Sequence, residues 1–215
     1  MQIYWHGFSS IRVETKTGDL EATLLTDPFE GEASVRFPRT ITPDVLALSH
    51  QDRKRFNLEG AQGSPFMISD PGEYEVKGLF VQGIQDLLVD RGDVLRPLVY
   101  RIVAEGISVA FLGGMKRKLT EAEIEGLGNI DILILPVGGG DVMDAKTAQE
   151  MVTAIEPRLV IPIHFALPGS KAELADVSAF VKQAGIAKRT DATKLKVSRK
   201  DLPTEDMELV ILERA

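Results

Sequence analysis

Short apolar runs separated by turn residues fill the first half of the chain, and this pattern predicts β-strands. The runs are rich in β-branched, aromatic and aliphatic side chains and are bounded by glycine and aspartate. Residues 74–84 alternate around Gly78, which predicts a hairpin, and Ala104-Glu105-Gly106 predicts a second tight turn. We predict strands at residues 3–5, 10–14, 22–26, 45–49, 66–69, 97–103 and 107–112.

The second half of the chain alternates apolar strands with amphipathic helices. Thr120-Glu121-Ala122-Glu123 and Ser170-Lys171-Ala172-Glu173 have the spacing of capping boxes, so each predicts the start of a helix. Asp144 predicts the N-cap of a third helix, which Pro157 ends. Further strands are predicted at residues 130–135, 159–163, 194–197 and 208–212. Alternating strands and helices imply parallel crossovers, so we expect two facing sheets with helices outside.

Composition narrows the class of protein. The 215 residues are 44% hydrophobic and 27% charged, with a formal net charge of −7 and no cysteine. This length suits one domain, residues 1–215, and the absence of cysteine excludes disulfides and thiolate metal sites. Because the net charge is negative, electrostatic repulsion makes binding to extended nucleic acid unfavourable. We find neither a signal peptide at the start nor an apolar run that could span a membrane, so we expect a cytoplasmic protein.

His50 stands at the end of the apolar run 45–49 and is followed at once by charged residues. The chain has three histidines, and this one occupies the place where a strand delivers a side chain to an active-site loop. Asp52 and the cations Arg53-Lys54-Arg55 come directly after it. A loop expected to be rich in metal-binding side chains is therefore rich in cations instead.

Seven short segments occur in the order found in a known family of hydrolases. Four of them end predicted strands: Thr26-Asp27-Pro28-Phe29, Leu48-Ser49-His50, Phe111-Leu112-Gly113-Gly114 and Val160-Ile161-Pro162-Ile163-His164-Phe165. The others are residues 4–10, 70–74 and 134–139. In this order the chain resembles the metallo-β-lactamase-fold hydrolases, in particular a lactonase-like branch related to ascorbate-phosphate lactonase. The resemblance implies an α/β fold, a four-layer αββα sandwich, with one or two divalent cations, usually zinc, at the strand ends.

The metal-binding loop of that family reads His-x-His-x-Asp-His, and this chain keeps the first histidine, His50. Asp52 stands at the second histidine position, Lys54 at the aspartate position and Arg55 at the last histidine position. A cation next to a divalent metal ion is strongly unfavourable where the dielectric is low. The resemblance therefore implies a degenerate metal site.

Other ligand positions of the family have changed as well. Gly114 replaces the metal-bridging aspartate, Phe8 replaces a histidine of the opening motif, and residues 51–163 contain no histidine. The final histidine is present as His164. The resemblance leaves His50, Asp52 and His164 as metal ligands, which would hold at most one zinc ion weakly, so we expect no cofactor. It also suggests that Asp27 braces the loop beneath the ligands.

Two basic segments follow strands that end at the same predicted edge. Residues Arg53, Lys54 and Arg55 form one, and Lys116 and Arg117 belong to the other. Their side chains could pair internally with Asp52, Asp86 or Asp90, could hold an anion such as phosphate or carboxylate, or could be solvated loop charges.

Three hypotheses about function follow. The first is a hydrolase scaffold that has lost its metal centre and acts as a binding or assembly protein, for which a homo-oligomer is an open alternative. The second is a hydrolase of a small phosphorylated or lactone substrate that uses one cation on His50, Asp52 and His164. The third is a binder of phosphate or nucleotide through the basic loops.

Overall fold

The computed structural model describes residues 1–31, 35–85 and 97–215, which form two β-sheets and three α-helices. The first sheet contains β1 (Gln2–Gly7), β2 (Ser10–Thr17), β3 (Leu20–Thr26), β4 (Val45–Ala47), β5 (Phe66–Ile68) and β13 (Leu195–Lys196), in the order β13-β1-β2-β3-β4-β5. The second contains β6 (Gly72–Val76), β7 (Leu79–Gln85), β8 (Leu98–Ala104), β9 (Ile107–Phe111), β10 (Ile132–Pro136), β11 (Leu159–Ile163), β12 (Lys188–Ala192) and β14 (Glu208–Leu212), in the order β12-β14-β11-β10-β9-β8-β7-β6. The helices are α1 (Glu121–Leu127), α2 (Ala145–Ile155) and α3 (Val177–Ala184).

Both predicted tight turns are confirmed as β-hairpins. Strands β6 and β7 pair antiparallel around Lys77 and Gly78, whose φ angles are 52° and 76°. Strands β8 and β9 pair antiparallel around Glu105 and Gly106, with φ angles of 53° and 71°. Two consecutive positive φ angles are what a two-residue hairpin turn of type I′ requires. Strands β9, β10, β11, β14 and β12 are parallel, as the strand–helix alternation predicts.

The side chains of the first sheet alternate between two hydrophobic clusters. Leu24, Val45 and Ala47 belong to the large core cluster, which also contains the buried residues of the second sheet. Their neighbours Leu25, Leu46 and Leu48 belong to a smaller cluster, because successive strand residues face opposite sides of the sheet. Phe29, Phe37, Ile41, Phe56, Leu58, Ala61 and Met67 complete the smaller cluster. This cluster therefore anchors the loops that follow β3 and β4.

Two of the three predicted helix starts are confirmed. Thr120 and Glu123 form a capping box at α1, and the Asp144 side chain accepts a hydrogen bond from the Thr147 amide at α2. Ala148, Met151 and Val152 form the buried face of α2, which packs on β10. The predicted α/β class is confirmed, with two sheets that share the large core cluster. No helix in the described ranges is long and apolar enough to cross a membrane.

The capping box predicted at Ser170 is wrong. Helix α3 begins at Val177, and its N-cap is Asp176, whose carboxylate accepts a hydrogen bond from the Ser178 amide. The segment before it is irregular rather than helical, and its backbone is used for tertiary contacts: the Ala175 amide donates to Gly138 O at 2.7 Å. Strand β12 was not predicted, because its residues are mostly exposed and lack apolar alternation.

Candidate functional site

The loops after β4 and β9 meet where the two sheets come together. A Cβ atom on Gly113 would lie 2.6 Å from the Cβ atom of Ser49, and Gly113 has a φ angle of +48°. The Leu98 amide donates to Ser49 O at 2.6 Å, and His50 forms a β-bridge with Pro97. His50 therefore stands at the junction between the sheets, three residues after β4 ends at Ala47.

The imidazole of His50 is partly buried against an aromatic ring. Its centroid lies 4.4 Å from that of Phe56, with the planes inclined by 31°. The pKa of His50 is lowered to about 4. Burial is the largest cause, the positive charge of Arg55 acts in the same direction, and the negative charge of Asp52 opposes them. The Nδ1 atom of His50 is buried and has no hydrogen-bond partner among residues the structure describes. His50 is thus a neutral imidazole with an unused nitrogen.

The cations after His50 form a single 3₁₀ turn, Arg53–Arg55. Asp52 caps this turn by accepting a hydrogen bond from the Lys54 amide at 3.2 Å. Arg53 Nη2 donates to Ser69 Oγ at 3.0 Å, which ties the turn to the end of β5. The side chains of Lys54 and Arg55 are exposed and have no hydrogen bond or ion pair within the described ranges. The predicted pairing of the cations with Asp86 or Asp90 lies outside the described residues.

His164 follows β11 in a conformation that is uncommon for residues other than glycine. Its φ angle is 54°, and its amide donates to Phe8 O at 3.0 Å. The ring of Phe8 meets the imidazole edge-on at a centroid distance of 5.7 Å. Burial lowers the pKa of His164 to about 4, and the negative charge of Asp141 opposes this. Its Nδ1 atom, like that of His50, is buried without a partner in the described part of the chain.

Three phenylalanines, which we call the aromatic row, lie side by side next to His164. Phe8 contacts Phe29 at 5.0 Å, and Phe29 contacts Phe37 at 5.3 Å, both pairs edge to face. The Asn57 amide donates to Pro28 O at 2.8 Å, which connects the row to the segment that carries Phe56. Phenyl rings thus lie against both of the histidines that the family resemblance identifies as ligands.

Asp27 lies under the His50 loop. Its Oδ1 atom accepts a hydrogen bond from the Ser49 amide at 2.7 Å, while Oδ2 is buried without a partner among the described residues. Burial raises the pKa of Asp27 to about 6, and the Ser49 amide is the main opposing influence. The contact holds the residue that precedes His50.

The second basic segment is engaged in structural contacts. Arg117 makes two hydrogen bonds to the buried carboxylate of Glu123, at 3.0 and 2.8 Å, and Glu123 also closes the capping box of α1. Lys116 is exposed, with its Nζ atom 3.9 Å from an oxygen of Asp141. Arg117 therefore serves the stability of α1, a role that the sequence pattern did not indicate.

The donor set does not fit the two-zinc centre of the resembled family. Cations stand at two of its ligand positions, Lys54 and Arg55, and Asp52 is used as a cap. Within the described ranges, no three histidine, aspartate or glutamate side chains converge in a way that could hold a metal ion. We therefore assign no chemical step to a metal pair in this chain.

Sequence reasoning missed the residues that hold the histidine loops in place. Tyr100, in β8, donates through its hydroxyl to Leu48 O at 2.6 Å and lies 3.2 Å from Ile68 O, so it ties the ends of β4 and β5 to the second sheet. Phe56 was missed as well. A lone tyrosine inside an apolar strand and a phenylalanine after a charge cluster carry no local signal for these roles.

Comparison with known proteins agrees with this architecture. The structure superposes on a Thermotoga maritima protein assigned to the Zn-dependent hydrolases of the metallo-β-lactamase superfamily, with a TM-score of 0.78 and 27% identity over 98% of this chain and 97% of that one. A UPF0173 protein of Pyrococcus furiosus is 26% identical over 85% of this chain and 90% of its own length. A UPF0173 metal-dependent hydrolase of Methanosarcina mazei is 25% identical over 77% of this chain and 83% of its own length.

The family profile of the beta-lactamase superfamily domain matches residues 2–164, which include every strand from β1 to β11 together with His50 and His164. More than half of the chain is covered by this match. The protein therefore belongs to the beta-lactamase superfamily and has the metallo-β-lactamase fold.

Proposed function

We propose that this chain is a metallo-β-lactamase-fold binding protein that no longer uses a two-zinc centre and that binds a small anion at the former metal edge. The observation that carries the proposal is the placement of Lys54 and Arg55 at two ligand positions of the family's metal loop. A dication there would be repelled by the two positive charges, whereas an anion would be attracted by them.

The surroundings of the two histidines support this proposal. Neutral imidazoles in contact with Phe56 and Phe8 present apolar surfaces, and burial lowers the pKa of both His50 and His164. The exposed ammonium and guanidinium groups of the 3₁₀ turn supply the charge for an anion such as phosphate or carboxylate.

A second candidate is a hydrolase that uses one metal ion on His50, Asp52 and His164. The unpartnered Nδ1 atoms of His50 and His164 favour it, because buried polar atoms usually have a partner. Relatives named metal-dependent hydrolases favour it as well. Such an ion would activate a water molecule for attack on a small phosphorylated or lactone substrate.

Metal analysis separates the two candidates. After removal of metals, incubation with zinc and gel filtration, we expect far less than one zinc ion per chain. Stoichiometric zinc that is lost in a His50→Ala, His164→Ala variant would contradict the binding-protein proposal. The reverse experiment restores the family motif through Asp52→His, Lys54→Asp, Arg55→His and Gly114→Asp, and we expect this variant to retain zinc.

Anion binding is tested by thermal unfolding with and without inorganic phosphate. We expect phosphate to raise the melting temperature of the natural chain and to have no such effect on a Lys54→Ala, Arg55→Ala variant. The matched control is Lys146→Ala, Lys182→Ala, which removes two exposed lysines from α2 and α3. A phosphate effect that survives in the loop variant would argue against binding at this edge.

A further inference from the structure

A cavity of about 680 Å³ is bordered by Phe37, one of the three phenylalanines of the aromatic row. Ring contacts connect His164 to Phe8, Phe8 to Phe29 and Phe29 to Phe37, so Phe37 is the end of the row that does not contact His164. The lining of the cavity includes Arg36, Phe37 and Arg39 from the segment between β3 and β4, and Asn57 and Gly60 from the segment after β4. Among the described residues, the lining of this cavity does not include the candidate metal ligands His50, Asp52 and His164, nor the cations Lys54 and Arg55. The cavity is thus separate from the site described above.

The backbone that carries the two arginines is held at three points. Phe37 is buried between them and contacts Phe29 at 5.3 Å. Arg214 Nη1 donates to the carbonyl oxygen of Arg36 at 3.1 Å, and Gln62 Nε2 donates to the carbonyl oxygen of Arg39. Because the backbone of Arg36 and Arg39 is anchored, less conformational entropy is lost when their side chains bind a ligand.

The guanidinium groups themselves are exposed and unpaired within the described part of the chain. Neither Arg36 nor Arg39 has a side-chain hydrogen bond or an ion pair there, although Glu30 also lines the cavity. Two guanidinium groups and one carboxylate make this lining positive in a chain whose net charge is −7. Guanidinium forks match the planar geometry of carboxylates and the oxygens of phosphate esters.

The rest of the lining is polar side chains and glycine backbone. Phe37 borders the cavity but is only 7% exposed, and a Cβ atom on Gly60 would lie 2.8 Å from its ring, so the glycine packs closely on that ring. The Asn57 side chain is held by the Gly60 amide, which donates to its Oδ1 at 3.1 Å. The lining therefore combines two cations with an oriented amide.

We propose that this cavity binds a small organic anion. Its carboxylate or phosphate would be held by Arg36 and Arg39, beside the side-chain amide of Asn57. This site goes beyond the proposed function, because it uses neither the histidines nor Lys54 and Arg55.

The test is calorimetric titration of the full chain with phenyl phosphate and with benzoate. We expect at least one of them to bind saturably, and we expect a roughly tenfold or greater loss of affinity in an Arg36→Gln, Arg39→Gln variant, since charge-assisted hydrogen bonds are lost. The titrations are made in a background that carries Lys54→Gln, Arg55→Gln, so that anion binding at the former metal edge does not contribute. The matched control adds Lys146→Gln, Lys182→Gln to this background, with the same change of charge at two exposed lysines, and should bind as the background does. Phenol, which has the ring without the charge, should not bind saturably.

Four results would overturn the inference: no saturable binding of either anion at millimolar concentration, unchanged affinity in the Arg36→Gln, Arg39→Gln variant, loss of affinity in the control variant, or equal binding of phenol. Unchanged melting temperatures would show that both variants are folded, as expected for exposed side chains. Shifts of the Asn57 side-chain amide in NMR spectra on titration provide a second, local measurement. Metal analysis is independent of all these results, so failure of the proposed function and failure of this inference are distinguishable.

Discussion

The imidazole of His50 packs against the phenyl ring of Phe56, six residues further along the same loop, with ring centroids 4.4 Å apart. The intervening 3₁₀ turn, capped by Asp52, folds the chain back so that the two rings meet. The imidazole that the family resemblance identifies as a metal ligand is thereby held against an apolar surface.

Removing the phenyl ring of Phe56 should expose the imidazole of His50 to water. In Phe56→Ala we expect the pKa of His50 to rise from about 4 toward the ordinary 6.5, because burial is its largest cause. NMR titration of the imidazole protons would measure this. The pKa of His164, whose ring contact is with Phe8, serves as the internal control and should stay low. An unchanged His50 pKa would mean that Phe56 does not cause the burial.

Alanine substitutions at the adjacent glycines Gly113 and Gly114 should have very different effects on the free energy of unfolding. Gly113→Ala would place a Cβ atom 2.6 Å from Ser49 Cβ at a φ angle of +48°, and we expect it to lower the free energy of unfolding by about 2–4 kcal/mol. A Cβ atom on Gly114 would have no other atom within 4 Å, so Gly114→Ala should change the free energy of unfolding by less than about 1 kcal/mol. Urea unfolding of both variants measures the difference. Similar values for the two would contradict the close contact between the sheets.

The hydroxyl of Tyr100 should contribute to stability. It is buried, donates to Leu48 O and lies within hydrogen-bond distance of Ile68 O, so Tyr100→Phe leaves these carbonyl oxygens without that donor. We expect the free energy of unfolding to fall by about 1–3 kcal/mol. Tyr4→Phe is a suitable control, because its hydroxyl is only partly buried and lies 3.2 Å from Gln2 Oε1. An equal effect in the two variants would argue against the proposed role of Tyr100.

Stability should depend on pH through the buried histidines. Burial, with the charges of Arg12 and Arg214, lowers the pKa of His6 to about 4, whereas the unfolded chain titrates near 6.5. Between these values the unfolded state binds more protons, so the stabilisation present above pH 6.5 is lost as the pH falls toward 4. In His6→Gln we expect the slope of the free energy of unfolding against pH in this window to decrease by about 1.4 kcal/mol per pH unit.

Urea unfolding at a series of pH values tests this slope. Asp27 acts in the opposite sense, because its pKa is raised to about 6 and protonation favours the folded state as the pH falls through that value. Asp27 is unchanged in the variant, so its contribution cancels in the comparison. The same slope in the natural chain and in His6→Gln would show that His6 does not titrate as a buried group.

Local sequence signals were sufficient for much of the fold. The strand at residues 159–163 coincides with β11, and Gly78 and Gly106 mark the two hairpin turns. The start of α2 at Asp144 also follows from a short-range pattern. These features depend on neighbours in the sequence, through side-chain alternation, positive φ angles and capping.

Signals that depend on distant residues were misread or missed. Ser170 has capping-box spacing, yet the Ala175 amide donates to Gly138 O and the segment stays irregular until the N-cap Asp176. Strand β12 has no apolar alternation and forms because β14 offers a free edge. The contacts of Phe56, Tyr100 and Glu123 likewise required the assembled sheets and helices.

By itself, the sequence determined the two hairpins, the strand–helix alternation of the second half and the side chains that follow each strand, since these depend on residue order and side-chain type. Only the tertiary structure decided what surrounds those groups: Phe56 against His50, Phe8 against His164, and Arg36 with Arg39 around a cavity. The physical reason is that burial, ring contacts and cavities arise between segments far apart in the chain, where no local pattern records which side chains will meet.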